Sequence, residues 1–486
     1  MKKYLFLISL VYIFTGCEVS PFSSSGILEF EDDTAKVIND DNLTIIENNN
    51  TSIIDNFTII NKAKSKNDFY GYGKLNLSNL ISEVTTFNSN ITITKGELFP
   101  QQWAIDYDED FYTTNDIDEN ASINPSSVYN NFTGNSVTVA VIDDGFDIYH
   151  PEIKDKIIAK IAFLDDGTTS SDVSHTYASD YHGTAVAGII AANSDSDGIN
   201  GIAPDVKLIL IKMPDSISSS SIIDMFDYAV SYGADIVNCS WGTYSTSDAV
   251  TDKLNELSKT GRSGKGLLTV FASGNDDGYM EGDESAISGV IGVGATGYDN
   301  LRTLYSNYGK ELDIVAPGGH YLGISTIDPL GNYGASRDEY NRFDEYKTRE
   351  PSSFIGTSAS APVLSGALAL LLEAKPDITF DETMDLLQKT SDKITQNLPY
   401  LDDMVSSTSN TPKISGYIPD GSPYQFYVKL VSNSTNEVFG NYSVIIEGTN
   451  WYTYITQSLP DDNYSVIVID NQNNTLATDE SFEIKK

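Results

Sequence analysis

Gly356-Thr-Ser-Ala-Ser-Ala-Pro-Val-Leu-Ser-Gly-Ala-Leu-Ala-Leu-Leu-Leu372 reads as a helix with no polar face. A helix that is apolar all round has to be buried on every side. The run Ala361–Ala374 is too short and mixed to cross a bilayer, so protein must cover it. Short apolar runs upstream supply that cover: Val137–Ile142, Lys207–Ile211, Ile236–Cys239, Leu267–Ala272, Val290–Gly294 and Leu312–Val315. They alternate with helical stretches at 182–193, 220–232, 248–260, 358–374 and 380–391. Strand–helix alternation predicts an α/β fold with a parallel sheet and helices on both faces. Strands that are apolar without alternation fit a sheet covered on both sides.

Three segments carry polar groups where chemistry can use them. Val139–Gly145 (VAVIDDG) ends an apolar strand on Asp143, and the carboxyl ends of parallel strands form the site edge of open α/β sheets. His182–Asn193 (HGTAVAGIIAAN) opens a close-packing helix on a histidine. Ser358 lies at the start of the apolar helix, beside its unpaired N–H groups and positive dipole end, where an oxyanion is stabilised. Taken singly, Asp143-Asp144-Gly145 reads equally well as a turn, and Ser358 as a helix cap. His150, His175 and His320 have no comparable setting and read as structural.

In the order Asp, His, Ser, these segments resemble the subtilisin-like serine proteases. The likeness runs from Gln101-Gln102-Trp103 to about Ser391. It takes in His150-Pro151-Glu152, GIAP at 201–204, ADIVNCSWG at 234–242, FASGN at 271–275, YSNYG at 305–309 and DIVAPG at 313–318. The resemblance implies a subtilisin-like fold and roles residue by residue. Ser358 would be the nucleophile, His182 its general base and Asp143 the group that orients His182. Asn275 would share the oxyanion hole with the Ser358 N–H. Ser240, Trp241 and Gly242 would pair with the extended substrate backbone. Asp144, Cys239-Ser240-Trp241-Gly242 and Ala359 resemble the kexin-like branch, in which the residue matching Asp144 lies near a substrate pocket and favours basic side chains. Thr243-Tyr244-Ser245-Thr246, and Ala185 after His182-Gly183-Thr184, depart from that branch.

A calcium ion is also implied. Glu152 holds the family's acidic position after His-Pro, and Asp195 in the loop 193–201 aligns with a side-chain ligand. Gln101 or Gln102 is a further candidate, and hard oxygen donors suit calcium. Cys239 reads as a buried, non-catalytic thiol in a strand.

The two ends of the chain have other characters. Lys2-Lys3, an apolar run and Thr15-Gly16-Cys17 form an export signal over 1–16, with Cys17 placed as in bacterial lipoproteins. Lipidation there implies a tether to a membrane at the cell envelope or surface. Residues 17–98, rich in Asn, Asp, Ser and Thr, read as a tether or as an inhibitory pro-segment. The peptidase-like region then spans 99–411. From 412 to 486, strand-like runs separated by Asn, Gly and Asp turns predict a small all-β sandwich.

Acidic residues outnumber basic ones 69 to 30, for a net charge of −39. That balance argues against a nucleic-acid partner, since phosphate binding needs clustered Lys and Arg. The sequence reading is therefore a lipid-anchored serine endopeptidase acting on protein or peptide. The competing reading is a non-catalytic surface binding protein on a protease fold.

Overall fold

The computed structural model describes residues 69–87, 93–125, 128–280, 282–331, 333–335, 354–394, 411–417, 426–447, 450–469 and 475–484, with short strand pieces outside these ranges. The expected export signal and the Cys17 lipidation site lie outside the described residues, apart from the two-residue strand Ile13–Phe14. Residues 1–64 form a unit of their own, in which Ile13–Phe14, Ala35–Val37 and Glu47–Asn48 pair as a small sheet.

The apolar runs become a central sheet. Its strands are β1 (Thr138–Asp143), β2 (Ile157–Phe163), β3 (Thr169–Ser170), β4 (Lys207–Lys212), β5 (Ile236–Cys239), β6 (Leu268–Ala272), β7 (Ile291–Thr296) and β8 (Ile314–Pro317). Their order is β8-β7-β6-β5-β1-β4-β2-β3, parallel except where β3 turns back along β2. Every residue of β1, β5, β6, β7 and β8 is buried, as a sheet covered on both faces requires.

Two short helices, α1 (Leu77–Ser82) and α2 (Glu109–Asn115), precede β1, and alternation along β1 shows how the cover divides. Val139 and Val141 join α6 (Thr357–Ala374) and α3 (His182–Ala191) in one core, with Val270, Val293, Leu364 and Leu368. Ala140 and Ile142 point to the other face, toward α4 (Ser219–Ser231) and α5 (Asp248–Gly264), with Met225, Phe226 and Leu254. The helix without a polar face is thus the central one. Because it begins at Thr357, ahead of Ala361, its 18 residues are by length and composition enough to cross a membrane, but 83% of that stretch is buried by protein.

Residues 69–87 belong to the same compact unit as the central sheet, and Leu75, Leu77, Leu80 and Ile81 lie in the same core as α6. Lys74 pairs with Val315 at the edge of β8 and with Asp392, and its buried ammonium donates to the carbonyls of Asn120 and Ser122. Such contacts span far-apart residues, and no local pattern announces them.

The C-terminal region forms two further sheets. Tyr400–Leu401, Lys413–Tyr417, Asn450–Tyr454 and Ile445–Glu447 make a four-stranded sheet in that order. Ser406–Ser407, Thr475–Ile484, Asp462–Ile469, Tyr427–Ser432 and Val438–Ser443 make a five-stranded one. Pairing with Gly416 and Tyr417 brings Tyr400–Leu401 into the first of these sheets. Inward residues of both sheets, among them Ile414, Trp451, Val428 and Val466, share one core with Phe69, Tyr70, Leu312 and Val315.

Candidate active site

Asp143 ends β1 between β4 and β5, and is only 1% exposed. Its Oδ1 accepts the backbone N–H of Asp144 at 2.8 Å. His182 opens α3, whose start is brought over β1 by small residues. A Cβ on Gly183 would stand 2.3 Å from the Gly145 carbonyl oxygen, so any side chain there would push His182 away. His182 Nδ1 and Asp143 Oδ1 are 2.7 Å apart. Burial disfavours the imidazolium, but Asp143 at this distance and Asp144 beyond it outweigh that cost and raise the His182 pKa to about 9. The ring also stands edge-on to Phe354, centroids 5.3 Å apart.

Ser358 is the second residue of α6. The cap is Gly356, at φ +120°, so Ser358 is not the cap. Pro362 follows four residues later and has no N–H to give the Ser358 carbonyl. That carbonyl instead accepts the Ser240 hydroxyl at 2.9 Å, while the Ser358 hydroxyl donates to the Ser240 carbonyl at 3.0 Å. Among the described residues the Ser358 hydroxyl bonds to Ser240 and not to His182.

Asn275 follows β6. Its Oδ1 accepts the N–H and hydroxyl of Thr357 at 2.9 and 3.0 Å. This leaves the amide NH2 as the donor available on the cleft wall. A cavity of about 190 Å³ is lined by Ser240, Trp241, Gly242, Asn275, Thr357 and Ser358, with Tyr244, Tyr279, Met280 and Asp283. The structure thus gathers the predicted Ser240, Trp241, Gly242 and Asn275 around Ser358. Asp144, next to Asp143 at the end of β1, accepts the Gly183 N–H on its Oδ1 at 2.9 Å. Burial opposes its charge, but His175, His182 and this N–H hold its pKa below the usual carboxylate range.

Several site residues escaped the sequence reading. Asn238 sits in β5, its Nδ2 donating to Ser240 Oγ at 3.0 Å and its Oδ1 accepting from Ser365 at 2.9 Å. A buried polar chain therefore runs from the middle of α6 to Ser358. The signal was present as two polar residues, Asn238 and Ser365, inside runs that are otherwise apolar. His175, read as structural, lies beside Asp144, with Nδ1 3.4 Å from its Oδ1. His150 keeps the structural reading: it is fully buried, and burial lowers its pKa to about 4. Cys239 is buried in β5, and burial pushes its thiol pKa well up, as an inert thiol requires.

The residues expected around calcium divide. Glu152 is 1% exposed, and burial with Asp195 and Asp197 nearby raises its pKa to about 7. Its Oε2 accepts the Asn193 N–H at 2.9 Å. A buried carboxylate crowded by two others is a setting that a divalent cation would relieve, so Glu152 and Asp195 fit the ion. Gln102 does not. Its Oε1 and Nε2 are both bonded to the Asn200 backbone, at 2.8 and 2.9 Å. Its amide is spent on bracing the loop, a pairing that sequence alone does not show.

Residues 134–419, more than half of the chain, match the Subtilase family. The major intracellular serine protease of Bacillus subtilis (strain 168) is 35% identical over 247 residues, covering 49% of this chain and 69% of that protein. A calcium-dependent protease of Trichormus variabilis (strain ATCC 29413 / PCC 7937) is 29% identical over 320 residues, 61% of this chain and 47% of that one. A calcium-dependent protease of Nostoc sp. (strain PCC 7120 / SAG 25.82 / UTEX 2576) is 30% identical, over 54% of this chain and 42% of that one. The chain thus spans about half the length of these two calcium-dependent relatives. Among solved structures, the serine protease of Aeromonas sobria superposes with a TM-score of 0.51 at 16% identity, over 82% of this chain and 94% of that one, a likeness of fold. With the match over 134–419 and the Asp, His and Ser segments meeting at one sheet edge, the chain belongs to the subtilase family.

Proposed function

We propose that the chain is a serine endopeptidase that cleaves protein or peptide substrates through an acyl-enzyme. The observation that carries this is the 2.7 Å contact of His182 with buried Asp143; Ser358 and Asn275 line one cavity at the start of α6. Rotation about χ1 of Ser358 takes its hydroxyl from the Ser240 carbonyl toward His182. Oγ then bonds to the substrate carbonyl carbon as His182 takes the hydroxyl proton. Asp143 steadies the imidazolium, and Asn275 with the Ser358 N–H receives the oxyanion. His182 returns the proton to the leaving amine, and water releases the acyl group by the same steps.

Substrate preference in this reading is for basic side chains. Asp283 lies on the cavity wall and Asp144 follows Asp143 at the end of β1, and no Lys or Arg pairs with either among the described residues. A calcium ion held by Glu152 and Asp195 would brace the loop 193–201; two relatives are named as calcium-dependent proteases. Export and lipidation of Cys17 would hold the enzyme at the cell envelope.

The test is hydrolysis of a panel of peptides, basic or neutral before the cleaved bond, by the purified protein and Ser358→Ala. The variant is expected to lose at least about 10³-fold in kcat. If the wild type labels with no serine-directed phosphonate and matches the variant, the binding-protein reading replaces this one. Mass spectrometry of the mature N-terminus decides lipidation.

A further inference from the structure

The loop between β3 and α3 is drawn over the end of β1. Phe146 N–H donates to the Val173 carbonyl at 2.8 Å. Gly145 lies directly beneath the next turn, where a Cβ would stand 2.8 Å from His175 Cα. His175 is therefore held over the Asp143-Asp144-Gly145 turn, with its side chain only 9% exposed. Its Nε2 is bonded to the hydroxyl of buried Thr184 at 2.7 Å, and that hydroxyl already accepts the Asp147 N–H at 2.9 Å. Its Nδ1 is buried without a hydrogen-bond partner, and faces Asp144 Oδ1 at 3.4 Å. Asp180 supplies a second carboxylate, oriented by the Tyr177 N–H on its Oδ2 at 2.9 Å. The three ligand atoms lie within 4.8 Å of one another, the one such grouping among the described residues.

We propose that Asp144, His175 and Asp180 form a site for a divalent transition metal of the zinc type, and that the bound ion brakes the peptidase. Two donors on a tetrahedral zinc at about 2.0–2.1 Å stand roughly 3.3–3.4 Å apart, which is the His175–Asp144 spacing. Imidazole with carboxylates suits zinc, whereas calcium and magnesium take oxygen alone. The Thr184 hydroxyl plays the part of an outer partner, accepting Nε2–H and turning the Nδ1 lone pair toward the ion. An ion here would neutralise Asp144, tie the entry of α3 to the β1 turn, and remove the negative charge with which Asp144 would attract a basic substrate side chain. The binding half stands on the cluster itself, and the braking half rests on the proposed peptidase reading.

Binding is measured on the full chain carrying Ser358→Ala, by calorimetric titration with zinc chloride after chelator removal. One zinc site is expected, weakened at least about tenfold by His175→Gln and by Asp180→Asn. Asp180 is half-exposed, so Asp180→Asn keeps the test open if His175→Gln does not fold. With Ser358 intact, zinc is expected to inhibit peptide hydrolysis, and Asp180→Asn to raise the inhibiting concentration by the same factor. No saturable zinc binding, equal affinity in the variants, or calcium binding as tightly at this site overturns the proposal. Zinc inhibition unmoved by Asp180→Asn would place the ion on His182 and overturn it too. A chain inert toward peptides leaves the calorimetric result to decide the site.

Discussion

The central sheet and the C-terminal pair of sheets bury their apolar residues in opposite ways. Strands β1 and β5–β8 are buried at every position. Tyr427–Ser432 instead alternates half-buried and buried residues, one face to the core and one to water. Parallel strands need helical crossovers, which gather all their carboxyl ends, and the helix starts that follow, at one edge. Asp143, His182, Asn275 and Ser358 all lie there. Antiparallel hairpins scatter strand ends to both edges, and among the described residues the C-terminal sheets contribute buried area and a shared core. Chemistry and stability are in this sense assigned to different regions, joined through Phe69, Tyr70, Leu312 and Val315.

That division can be broken most sharply at Trp451, which is 0% exposed and stands edge-on to Phe426 with centroids 5.2 Å apart. Trp451→Ala should cost roughly 3–5 kcal/mol. Because the core is shared, one melting transition at lower temperature is expected for both regions, followed by circular dichroism and residual peptidase activity together. A separate early transition that spares activity would show the regions to be independent.

On the catalytic side, Asn275→Ala should lower kcat by about 10²–10³, with KM and melting temperature little changed. A loss confined to KM would move Asn275 from the oxyanion to substrate binding.

Glu152 sharpens the comparison through pH. Its folded pKa of about 7 lies above the ordinary 4.5, so the native state holds a proton that the unfolded chain releases. Stability in chelator should therefore fall as pH rises from about 4.5 through 7, and calcium should flatten that fall. Melting curves at pH 5 and pH 8, with and without calcium, check this; the same slope in both would remove the calcium assignment.

The smallest expected effect is electrostatic. In the proposed mechanism catalysis needs neutral His182, whose pKa is raised to about 9, so kcat/KM measured with chelator should climb with pH well above the ordinary 6.5. Asp144→Asn removes one of the two carboxylates raising it, and should shift the midpoint down. A midpoint at 6.5 in both proteins would mean that the Asp143 pairing does not govern the base.

Much of this molecule was legible before any coordinates. A helix without a polar face had to be central, and unalternating strands had to lie in a covered parallel sheet. Asp143, His182, Ser358 and Asn275 sit where short motifs end strands or begin helices, and such motifs are local backbone instructions. Boundaries were less legible. Residues 69–87 join the core through edge pairing at Lys74 and through scattered leucines, a pattern with no period to detect.

By itself, then, the sequence determined which residues stand at strand ends and helix starts, because backbone geometry and burial periodicity are written in neighbouring residues. Only the tertiary structure decided the direction of the Ser358 hydroxyl, the Asn238–Ser365 link beneath it, the engagement of Gln102 and the meeting of His175 with Asp144. Those contacts join side chains from different elements, and their distances follow from how the elements pack rather than from how the chain reads.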